Sequence, residues 1–540
     1  MTEPQTPHRL GLVVGGSLTG GLEVRLDEVA VEEVKVGRLV AIDGARLCFF
    51  GTITDVTLRS TDPRLAAAPP SDDEPLLRAA LTGTAAYATV KVAPSLVWDR
   101  TAESELAPAR TVPPHFAQVR EANDDDVARV FGQEDAAHFY IGTPLELESR
   151  LCLDLPRFAQ RSNGVFGRSG TGKTFLTRLL LIGLLQKGGA VNLVFDMHNE
   201  YGWEGTSEGP AGKVKGLKQL FSSKVAVFTV DQESAVRRGV SVDEVVRIGW
   251  DEIEPQDIEL LQETLNLTEA GVGAVYAMAR QRGRRWLSDF LAAEAPGERA
   301  DLTTALGEHE ATIAALYRRL GRLRDFHFLT EGRSDALQRL LNALESGRHV
   351  VLEFGRYSND PTAYLLVANF LTRRVHQRWV RRTEEALGDR AQEPPQLVIT
   401  LEEAHRFLSP AIAPRTIFGT IAREMRKYHA TLLIIDQRPS GIDDEVLSQL
   451  GTKLCYRLDD DADIDAVLAG AAGRSDLKTV LANLDAKQQV LAFGDALPMP
   501  VVVRVREYGS PQSYRELGIE SEEEHKARVQ RDMERMFGAG

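Results

Sequence analysis

The sequence predicts an α/β protein in which a parallel-sheet core follows a small N-terminal β-barrel and is interrupted by a helical insertion. Three observations predict this class. Short apolar runs at close spacing precede residue 100, and strand-like and helical apolar runs alternate from residue 163 onward. Between about residues 246 and 345 only helical periodicity is present. The chain of 540 residues is long enough for several such domains.

Residues 1–100 have the pattern of a small β-barrel or sandwich. Their apolar runs are short and are separated by Gly, Asp and Pro: GLVVGG, GGLEVRL, KVGRLVAI, LCFFGTITDVTL and YATVKVAPSLVW. The Pro/Asp-rich stretch 61–76 is typical of a loop inside this domain. Residues 101–150 are polar, and we expect them to form a connector to the next core.

The α/β core is predicted in two parts, residues 151–245 and 346–508. The first contains the runs NGVF, FLTRLLLIGLL and AVNLVFD, and the second contains RHVVLEF, PQLVITLEE, ATLLIID and KLCYRL. We expect one sheet to be assembled from both parts. The stretch 246–345 between them is predicted to be a helical bundle, and residues 509–540 are expected to form a charged C-terminal helical arm.

The composition is that of a globular protein and excludes several classes. With 43% hydrophobic and 26% charged residues, the chain lacks the bias of a disordered protein. Its three scattered cysteines support neither a disulfide framework nor a cysteine-based metal site. The N-terminus has no secretion signal and no apolar run reaches roughly 18 residues, so a cytoplasmic location without membrane contact is expected. A net charge of −14 argues against a uniformly basic surface, but it permits positive charge confined to a channel.

The segment GRSGTGKT matches the phosphate-binding loop of nucleotide-hydrolysing proteins. Its glycines allow backbone N–H groups to surround phosphates, Lys173 can reach the β- and γ-phosphate oxygens, and the Thr174 hydroxyl can ligate Mg²⁺. The required strand before the loop and helix after it are both predicted. ATP and Mg²⁺ are therefore the expected cofactors. The predicted nucleotide-binding residues of the loop are Gly167, Arg168, Ser169, Gly170, Thr171, Gly172, Lys173 and Thr174.

Two of the predicted core strands end in carboxylates. Asp196 ends AVNLVFD, and Glu402 with Glu403 ends LVITLEE. Hydrolysis needs one carboxylate in the Mg²⁺ shell and another that orients the attacking water, and adjacent acids at a strand end can divide these tasks. We assign Glu402 to Mg²⁺, together with Thr174. The first acid of such a pair is usually Asp, so the longer Glu402 can also act through water. Asp196 is a nucleotide-site candidate, and it can equally be an aspartate that turns the chain.

A helical segment with two arginines leads into a strand that ends beside a glutamine. TIFGTIAREMRKYHA carries Arg423 and Arg426, and TLLIID precedes Gln437. A glutamine at this strand end can sense the γ-phosphate, and an arginine offered to a neighbour's nucleotide would stabilise the transferring phosphoryl group. Either arginine can instead belong to an ordinary basic helix surface.

In this order, GRSGTGKT, FDMHNEY, LEEAH and IAREMRKYHATLLIIDQRPS resemble the HerA branch of the FtsK/HerA superfamily. FGTITDV and ATVKV are similar to the HerA-type small barrel, and LDAKQQVLAFGDALPMPVVVRV is similar to the last core strands of that family. The resemblance covers about residues 9–508. It implies a RecA-like P-loop NTPase core behind the barrel.

The resemblance also implies a homohexameric ring around double-stranded DNA. Such a ring is an ATPase that acts as a translocase or helicase in DNA end processing, with a NurA-type nuclease as its usual partner. Matched residue by residue, Glu403 is the catalytic carboxylate with Glu402 beside it, and Gln437 is the sensor. Arg426 matches the arginine that acts on a neighbouring subunit, and Arg161 matches an arginine near the nucleotide. Asp436 stands where the family has a small residue.

DNA contact is predicted for a glycine-rich segment, GTSEGPAGKVKG, which carries Lys213 and Lys215. These lysines could line the path of the DNA, although a glycine-rich segment of this kind is also typical of a plain flexible connector.

Two other functions fit the same motifs. One is a DNA pump of the FtsK or conjugation type. The other is a ring-shaped scaffold or regulatory subunit of an antiphage effector complex that organises sirtuin-like or nuclease effectors. DNA-stimulated ATP hydrolysis would separate the two motor functions from the scaffold, and the identity of the partner protein would separate all three.

Overall fold

The structure is a computed structural model that describes residues 8–27, 29–102, 105–206, 212–293, 295, 297, 303–332, 334–485 and 487–519. Its strands are, in chain order, β1 (Arg9–Ser17), β2 (Gly21–Leu26), β3 (Leu39–Asp43), β4 (Leu47–Ser60), β5 (Ala86–Asp99), β6 (Ala107–Pro108), β7 (Gln118–Glu121), β8 (His138–Pro144), β9 (Leu151–Asp154), β10 (Asn163–Phe166), β11 (Val191–Asp196), β12 (Gly205–Thr206), β13 (Lys213–Val214), β14 (Val225–Thr229), β15 (Glu244–Val245), β16 (Ile248–Gly249), β17 (Leu329–Thr330), β18 (His349–Glu353), β19 (Leu397–Glu402), β20 (Ala430–Asp436), β21 (Thr452–Cys455), β22 (Gln489–Gly494) and β23 (Val501–Val505).

The helices vary widely in length, and among those described none is both long and apolar enough to cross a bilayer. They are, in chain order, α1 (Arg64–Ala67), α2 (Pro75–Leu81), α3 (Asp124–Phe131), α4 (Leu155–Ala159), α5 (Lys173–Lys187), α6 (Leu217–Leu220), α7 (Gln232–Arg238), α8 (Pro255–Glu259), α9 (Glu269–Arg282), α10 (Trp286–Ala292), α11 (Glu310–Leu320), α12 (Ala336–Glu345), α13 (Pro361–Ala386), α14 (His405–Leu408), α15 (Ile417–Glu424), α16 (Asp444–Ser448), α17 (Asp461–Val467), α18 (Arg474–Ala482) and α19 (Pro511–Glu516).

The chain divides into two compact units. The first runs from the N-terminal part of the chain through Leu176 and also contains Asp436–Ser440 and Leu447–Arg506. The second contains Thr177–Ile435, Gly441–Val446 and the described residues from Glu507 onward.

The first unit begins with a closed barrel. Within the described residues, six antiparallel strands follow the order β2-β1-β7-β3-β4-β5, and β2 pairs back onto β5 to close the sheet. Alternate side chains of these strands fill the interior, as the pattern of short apolar runs predicts. Leu10, Val24, Ile53 and Val119 are among the fully buried residues of this core.

Residues 101–150 are not the connector that their polarity suggests. β7 inserts into the barrel between β1 and β3, and β8 pairs with β23 in the second sheet of the same unit. In β7 only Val119 is fully buried, so this strand of four residues carries almost no apolar signal. The acidic run that follows begins α3, where Asn123 caps the helix and the carboxylates lie at the favourable end of its dipole.

The second sheet of the first unit has the order β10-β21-β22-β23-β8-β9. β10 and β21 are parallel, whereas the remaining pairs are antiparallel. The phosphate-binding loop leaves the end of β10, and α5 follows it. This helix is apolar on nearly all sides and is buried along most of its length.

The second unit contains a sheet of the order β15-β14-β18-β11-β19-β20, and every pair in it is parallel. Its main strands are buried on both faces, which explains their continuous apolar runs. Because β11 precedes the helical stretch and β18–β20 follow it, one sheet is assembled from both sides of the insertion, as predicted. The fold class is therefore an α/β, RecA-like P-loop NTPase core with a barrel before it.

The insertion is mainly helical, and its helices α8, α10 and α11 pack on α9. Trp286, Phe290 and Ile313 are fully buried there. β16 and β17 add a short parallel pair that the helical periodicity does not predict.

Candidate functional site

The phosphate-binding loop owes its shape to glycine. Gly167, Gly170 and Gly172 have φ values of 154, 76 and 106°, in the region that side chains other than glycine rarely adopt. A Cβ atom on Gly167 would also lie 2.6 Å from Cβ of Tyr456. The loop can therefore form only with glycine at this position, and its backbone N–H groups become available to an anion.

Lys173 folds back over this loop. Its Nζ donates hydrogen bonds to the carbonyl oxygens of Gly167 and Arg168, both at 2.7 Å. These acceptors are neutral, so an anionic phosphate oxygen would be a stronger acceptor for the same ammonium group. Arg168 forms an ion pair with Asp459, and Ser169 and Gly170 are exposed.

Tyr456 supports the phosphate-binding loop through hydrogen bonds, and no sequence motif indicates this role. It follows β21, its ring is buried, and its hydroxyl donates a hydrogen bond of 3.1 Å to the Gly172 carbonyl. Its backbone N–H donates to the Phe166 carbonyl at the end of β10. The phosphate loop is thus held at both ends by one residue.

Gln437 directly follows a residue that is bonded to the loop. The Gly167 N–H donates to the Asp436 carbonyl at 3.3 Å, and the Asp436 carboxylate accepts the Arg438 N–H at 2.7 Å. Gln437 lies between these two anchored positions and is half-buried. The Asp436 side chain, which stands where the resemblance implies a small residue, therefore turns the chain after β20.

Arg161 is half-exposed near the start of β10. Its Nε is 2.8 Å from Oδ2 of Asp495, so its charge is already offset by a carboxylate. Its role near a nucleotide stays a prediction.

In the second unit three carboxylates end neighbouring parallel strands. Asp196 ends β11, Glu353 ends β18 and Glu402 ends β19, and β11 lies between the other two strands. The carboxyl ends of parallel strands are where open α/β sheets place ligands. Asp196 and Glu353 are completely buried and Glu402 is 6% exposed. Glu353 was not predicted, although its position at the end of the run RHVVLEF could have indicated it.

Asp196 anchors the loop that follows β11. Its carboxylate accepts the N–H groups of Glu200 and Tyr201, both at 2.8 Å, and of Gly202 at 3.2 Å. Burial and the nearby Glu353 raise the pKa of Asp196 to about 7. This geometry favours the chain-turning role that the sequence left open, and direct nucleotide contact by Asp196 stays a prediction.

Glu402 is held by two tyrosines. Tyr201 donates its hydroxyl to Glu402 Oε1 at 3.0 Å, and Tyr364 donates to the Glu402 backbone carbonyl at 3.1 Å. The second carboxylate oxygen, Oε2, is buried without a hydrogen-bond partner among the described residues. Burial and the neighbouring Asp196 raise the pKa of Glu402 to about 8.

Glu403 lies in a different environment from the acid before it. Its backbone has a φ of 50°, a left-handed conformation that is uncommon for residues with side chains and recurs at functional turns. Its carboxylate is partly exposed, and Oε2 is 3.7 Å from Nε2 of His405. Water can therefore reach Glu403, whereas Glu402 is buried.

Of the two candidate arginines, only Arg423 has a side chain that the structure describes. Arg423 is engaged within its own chain, where Nη1 pairs with Glu445 Oε2 at 3.0 Å and Nε donates to the Gly419 carbonyl at 3.1 Å. The side chain of Arg426 lies outside the described part of the structure. Their action on a neighbouring nucleotide stays a prediction.

The two candidate DNA-binding lysines are both held within the second unit. Lys213 pairs with Glu204 at 2.7 Å. The backbone N–H of Lys215 donates to the Tyr514 hydroxyl at 2.9 Å, and its carbonyl accepts a hydrogen bond from Tyr508. Residues 207–211 of the same segment lie outside the described residues, and so does the arm after residue 519.

The protein residues suit a magnesium ion that is bound mainly by phosphate. In the described part of the chain there is no group of three or more His, Cys, Asp or Glu side chains that could hold a metal ion. Mg²⁺ usually takes one or two protein oxygens together with phosphates and water. A Thr174 hydroxyl at the start of α5 and a buried, half-satisfied Glu402 carboxylate are donors of this kind.

Two segments of the chain match known domain families. Residues 10–89 match the HAS barrel domain, and residues 139–375 match the family described as Helicase HerA, central domain. The first match lies within the barrel strands, and the second contains the phosphate-binding loop.

The chain is also similar to individual proteins and to solved structures. DNA double-strand break repair helicase HerA of Pyrococcus furiosus is 25% identical over 439 residues, which cover 74% of this chain and 75% of that protein. The protein of the same name from Sulfolobus acidocaldarius is 25% identical over 399 residues, covering 72% and 73%. VirB4 of Thermoanaerobacter pseudethanolicus has a TM-score of 0.45 at 14% identity, covering 70% of this chain and 99% of that one. The plasmid coupling protein TrwB with ADP and Mg²⁺ has a TM-score of 0.45 at 12% identity, covering 73% and 94%. Both scores are below 0.5, so the relationship rests on the sequence matches.

Proposed function

We propose that this chain is a P-loop ATPase of the HerA family and that it couples ATP hydrolysis to movement along DNA as a translocase or helicase. One observation carries the proposal. The match to the HerA central domain spans residues 139–375 and includes the phosphate-binding loop, whose glycine geometry and Lys173 suit a nucleotide triphosphate. Two relatives, matched over about three quarters of their own length, are named DNA double-strand break repair helicase HerA.

Each site residue has a distinct task in this proposal. The loop N–H groups and Lys173 bind the phosphates, and Thr174 with Glu402 holds Mg²⁺, which neutralises charge on the phosphate oxygens when bound. Glu403, which water can reach, orients the attacking water, and Gln437 senses the γ-phosphate.

The test of this function compares ATP hydrolysis with and without linear duplex DNA. We expect hydrolysis by the full chain to require Mg²⁺ and to rise when DNA is added. A triplex-displacement assay then measures movement along the duplex. If the rate of hydrolysis does not change when DNA is added and the third strand is not displaced, the motor function is contradicted and the scaffold function is favoured.

We further propose that the active form is a homohexameric ring around double-stranded DNA that works with a NurA-type nuclease or another effector protein. Arginine supplied by a neighbouring subunit would counter the charge that develops on the γ-phosphoryl group. Native mass spectrometry with an ATP analogue measures the subunit number. Co-purification with the product of a neighbouring gene identifies the partner, and thereby separates DNA end processing from antiphage defence.

The proposed DNA path includes Lys213 and Lys215. Charge reversal of both lysines should reduce DNA stimulation and lower the salt dependence of DNA binding, while basal hydrolysis is kept. The matched control reverses Lys187, at the far end of α5. If the salt dependence does not change, the DNA follows another path.

A further inference from the structure

The loop between β11 and β12 carries a tyrosine that no part of the proposed function uses. Tyr201 is completely buried, and its hydroxyl donates a hydrogen bond of 3.0 Å to Oε1 of Glu402. Burial, together with the charge of Glu402, raises the pKa of Tyr201 well above its usual range. The hydroxyl is the donor in this bond, because a phenol carries its proton at neutral pH.

The backbone of Tyr201 is fixed on both sides. Its N–H donates to Asp196 at 2.8 Å, and its carbonyl accepts the Leu217 N–H at 2.8 Å. The next carbonyl, that of Gly202, accepts the Lys218 N–H at 2.9 Å. A side chain on a backbone held in this way has little freedom to move its hydroxyl.

A buried arginine fixes the same loop from a second direction. Arg178 of α5 is 1% exposed and donates to the Glu200 carbonyl, and its guanidinium lies 5.9 Å from the centre of the Tyr201 ring. A Cβ atom at Gly205 would lie 1.9 Å from Nη2 of Arg178, so a larger residue there would displace the guanidinium. Arg178 therefore holds the loop that follows β11 in the conformation in which the Tyr201 hydroxyl reaches Glu402.

The hydrogen bond to Tyr201 satisfies one oxygen of the Glu402 carboxylate and leaves the other without a partner. An orphaned buried oxygen costs free energy, so a purely structural glutamate would be expected to have both oxygens bonded. Residues that hold a metal ligand by its other atom commonly tune the metal site.

We propose that Tyr201 is a positioning residue that holds Oε1 of Glu402, so that Oε2 is presented to the hydration shell of nucleotide-bound Mg²⁺. This inference rests on the proposed function, because it assumes that Glu402 serves the magnesium ion. In this proposal Tyr201 contacts neither the nucleotide nor the metal. Tyr201 affects the magnesium site only by orienting the Glu402 carboxylate.

The test removes only the hydroxyl, in Tyr201→Phe. Stabilisation against heat by a non-hydrolysable ATP analogue is measured while Mg²⁺ is titrated, and steady-state hydrolysis is measured over the same range. We expect the half-saturating Mg²⁺ concentration to rise about tenfold in both measurements. At saturating Mg²⁺, the KM for ATP should stay within about twofold of wild type, because the phosphate-binding loop is untouched.

Tyr357→Phe is the matched control. Tyr357 is also a buried tyrosine whose hydroxyl is bonded, since it accepts the His327 N–H at 3.0 Å, but it does not contact Glu402. This variant should keep the wild-type Mg²⁺ dependence. A second variant, Glu402→Asp, keeps the negative charge of the acid and leaves Tyr201 in place, but its shorter side chain withdraws the carboxylate from the Tyr201 hydroxyl. Its half-saturating Mg²⁺ concentration should rise as much as that of Tyr201→Phe.

A double-mutant cycle decides whether the effect passes through Glu402. If it does, adding Tyr201→Phe to Glu402→Gln should cause no further loss. The inference would be overturned if the losses caused by Tyr201→Phe and Glu402→Gln multiplied in the double variant. It would also be overturned if Tyr201→Phe kept the Mg²⁺ dependence of wild type. Failure of the proposed function looks different, because it is seen in wild type itself, as hydrolysis that does not respond to DNA or as no hydrolysis at all, whatever the Mg²⁺ dependence of Tyr201→Phe.

Discussion

Adjacent glutamates at the end of β19 show how two identical side chains acquire different chemistry. Glu402 belongs to the strand and is buried against Tyr201, whereas Glu403 begins a left-handed turn and remains partly exposed. Successive residues of a strand point to opposite faces of the sheet, and the turn at Glu403 moves its side chain further from that of Glu402. Substitution of the two acids should therefore have different consequences.

Glu403→Gln should retain ATP binding and hydrolyse ATP at least roughly a hundredfold more slowly, because the amide cannot activate water. Single-turnover hydrolysis and binding of a fluorescent ATP analogue measure the two quantities separately.

Glu402→Gln is the matched comparison for this change. It should raise the Mg²⁺ requirement and slow hydrolysis less than Glu403→Gln does. If Glu402→Gln is inactive at saturating Mg²⁺ and Glu403→Gln is active, the two assignments are reversed.

Lys173→Ala should abolish hydrolysis and leave the thermal unfolding temperature nearly unchanged. The Lys173 side chain folds over a loop rather than into the core, so its loss removes a phosphate contact without leaving a cavity. Lys187→Ala, in the last turn of the same helix, is the control and should hydrolyse ATP normally. Wild-type turnover by Lys173→Ala would exclude this loop as the nucleotide site.

The strand β18 contains a histidine that should make stability depend on pH. His349 is buried, and its Nδ1 accepts the Asn192 N–H at 3.1 Å. Burial and the charge of Lys224 lower the pKa of His349 from 6.5 to about 4. Between these values the unfolded chain binds a proton that the folded chain does not, so stability is lost as the pH falls from about 6.5 towards 4. The loss should reach about 3 kcal/mol.

His349→Asn isolates this contribution, because an amide oxygen can accept the same hydrogen bond and does not titrate. Urea unfolding of both proteins is measured at several values of pH. The wild type should lose stability relative to the variant only below about pH 6.5. A constant difference between the two proteins across this range would show that His349 titrates normally in the fold.

The central strands were predictable because their burial is complete. β11, β18, β19 and β20 are buried along their whole length and consist mostly of apolar residues, so their identity, their parallel class and the carboxylates at their ends could be inferred from the sequence. The phosphate-binding loop was predictable for another reason, since only glycine adopts the conformations that it needs.

Elements that depend on contacts distant in sequence could not be inferred in this way. β7 exists because β1 and β3 pair with it on either side, and its own four residues bury one apolar side chain. Tyr456 supports the phosphate loop although it lies just after β21, almost three hundred residues further along the chain. Tyr201 lies inside the motif FDMHNEY, but its acceptor, Glu402, becomes its neighbour only when β11 and β19 pair.

At the scale of the whole molecule, the arrangement of arginines makes a prediction about assembly. A phosphate loop with Glu403 and Gln437 can orient water and sense the γ-phosphate, but the developing charge is countered most effectively by an additional arginine. Arg423 is bonded to Glu445 and Gly419 of its own chain. The resemblance to the HerA family implies that Arg426 acts on a neighbour, so we propose Arg426 as the residue that acts across a subunit interface.

Mixing two inactive proteins tests whether Arg426 acts on a neighbouring subunit. Lys173→Ala subunits lack the phosphate contact and Arg426→Ala subunits lack the arginine, so a mixed ring would contain some interfaces at which an intact loop meets an intact arginine. The mixture should therefore hydrolyse ATP faster than either variant alone, with a maximum near equal proportions. A labelled tag on one variant verifies that subunits exchange, and a mixture of tagged and untagged Lys173→Ala is the control that must stay inactive. Exchange without recovered activity would mean that Arg426 acts within its own subunit or only supports the fold.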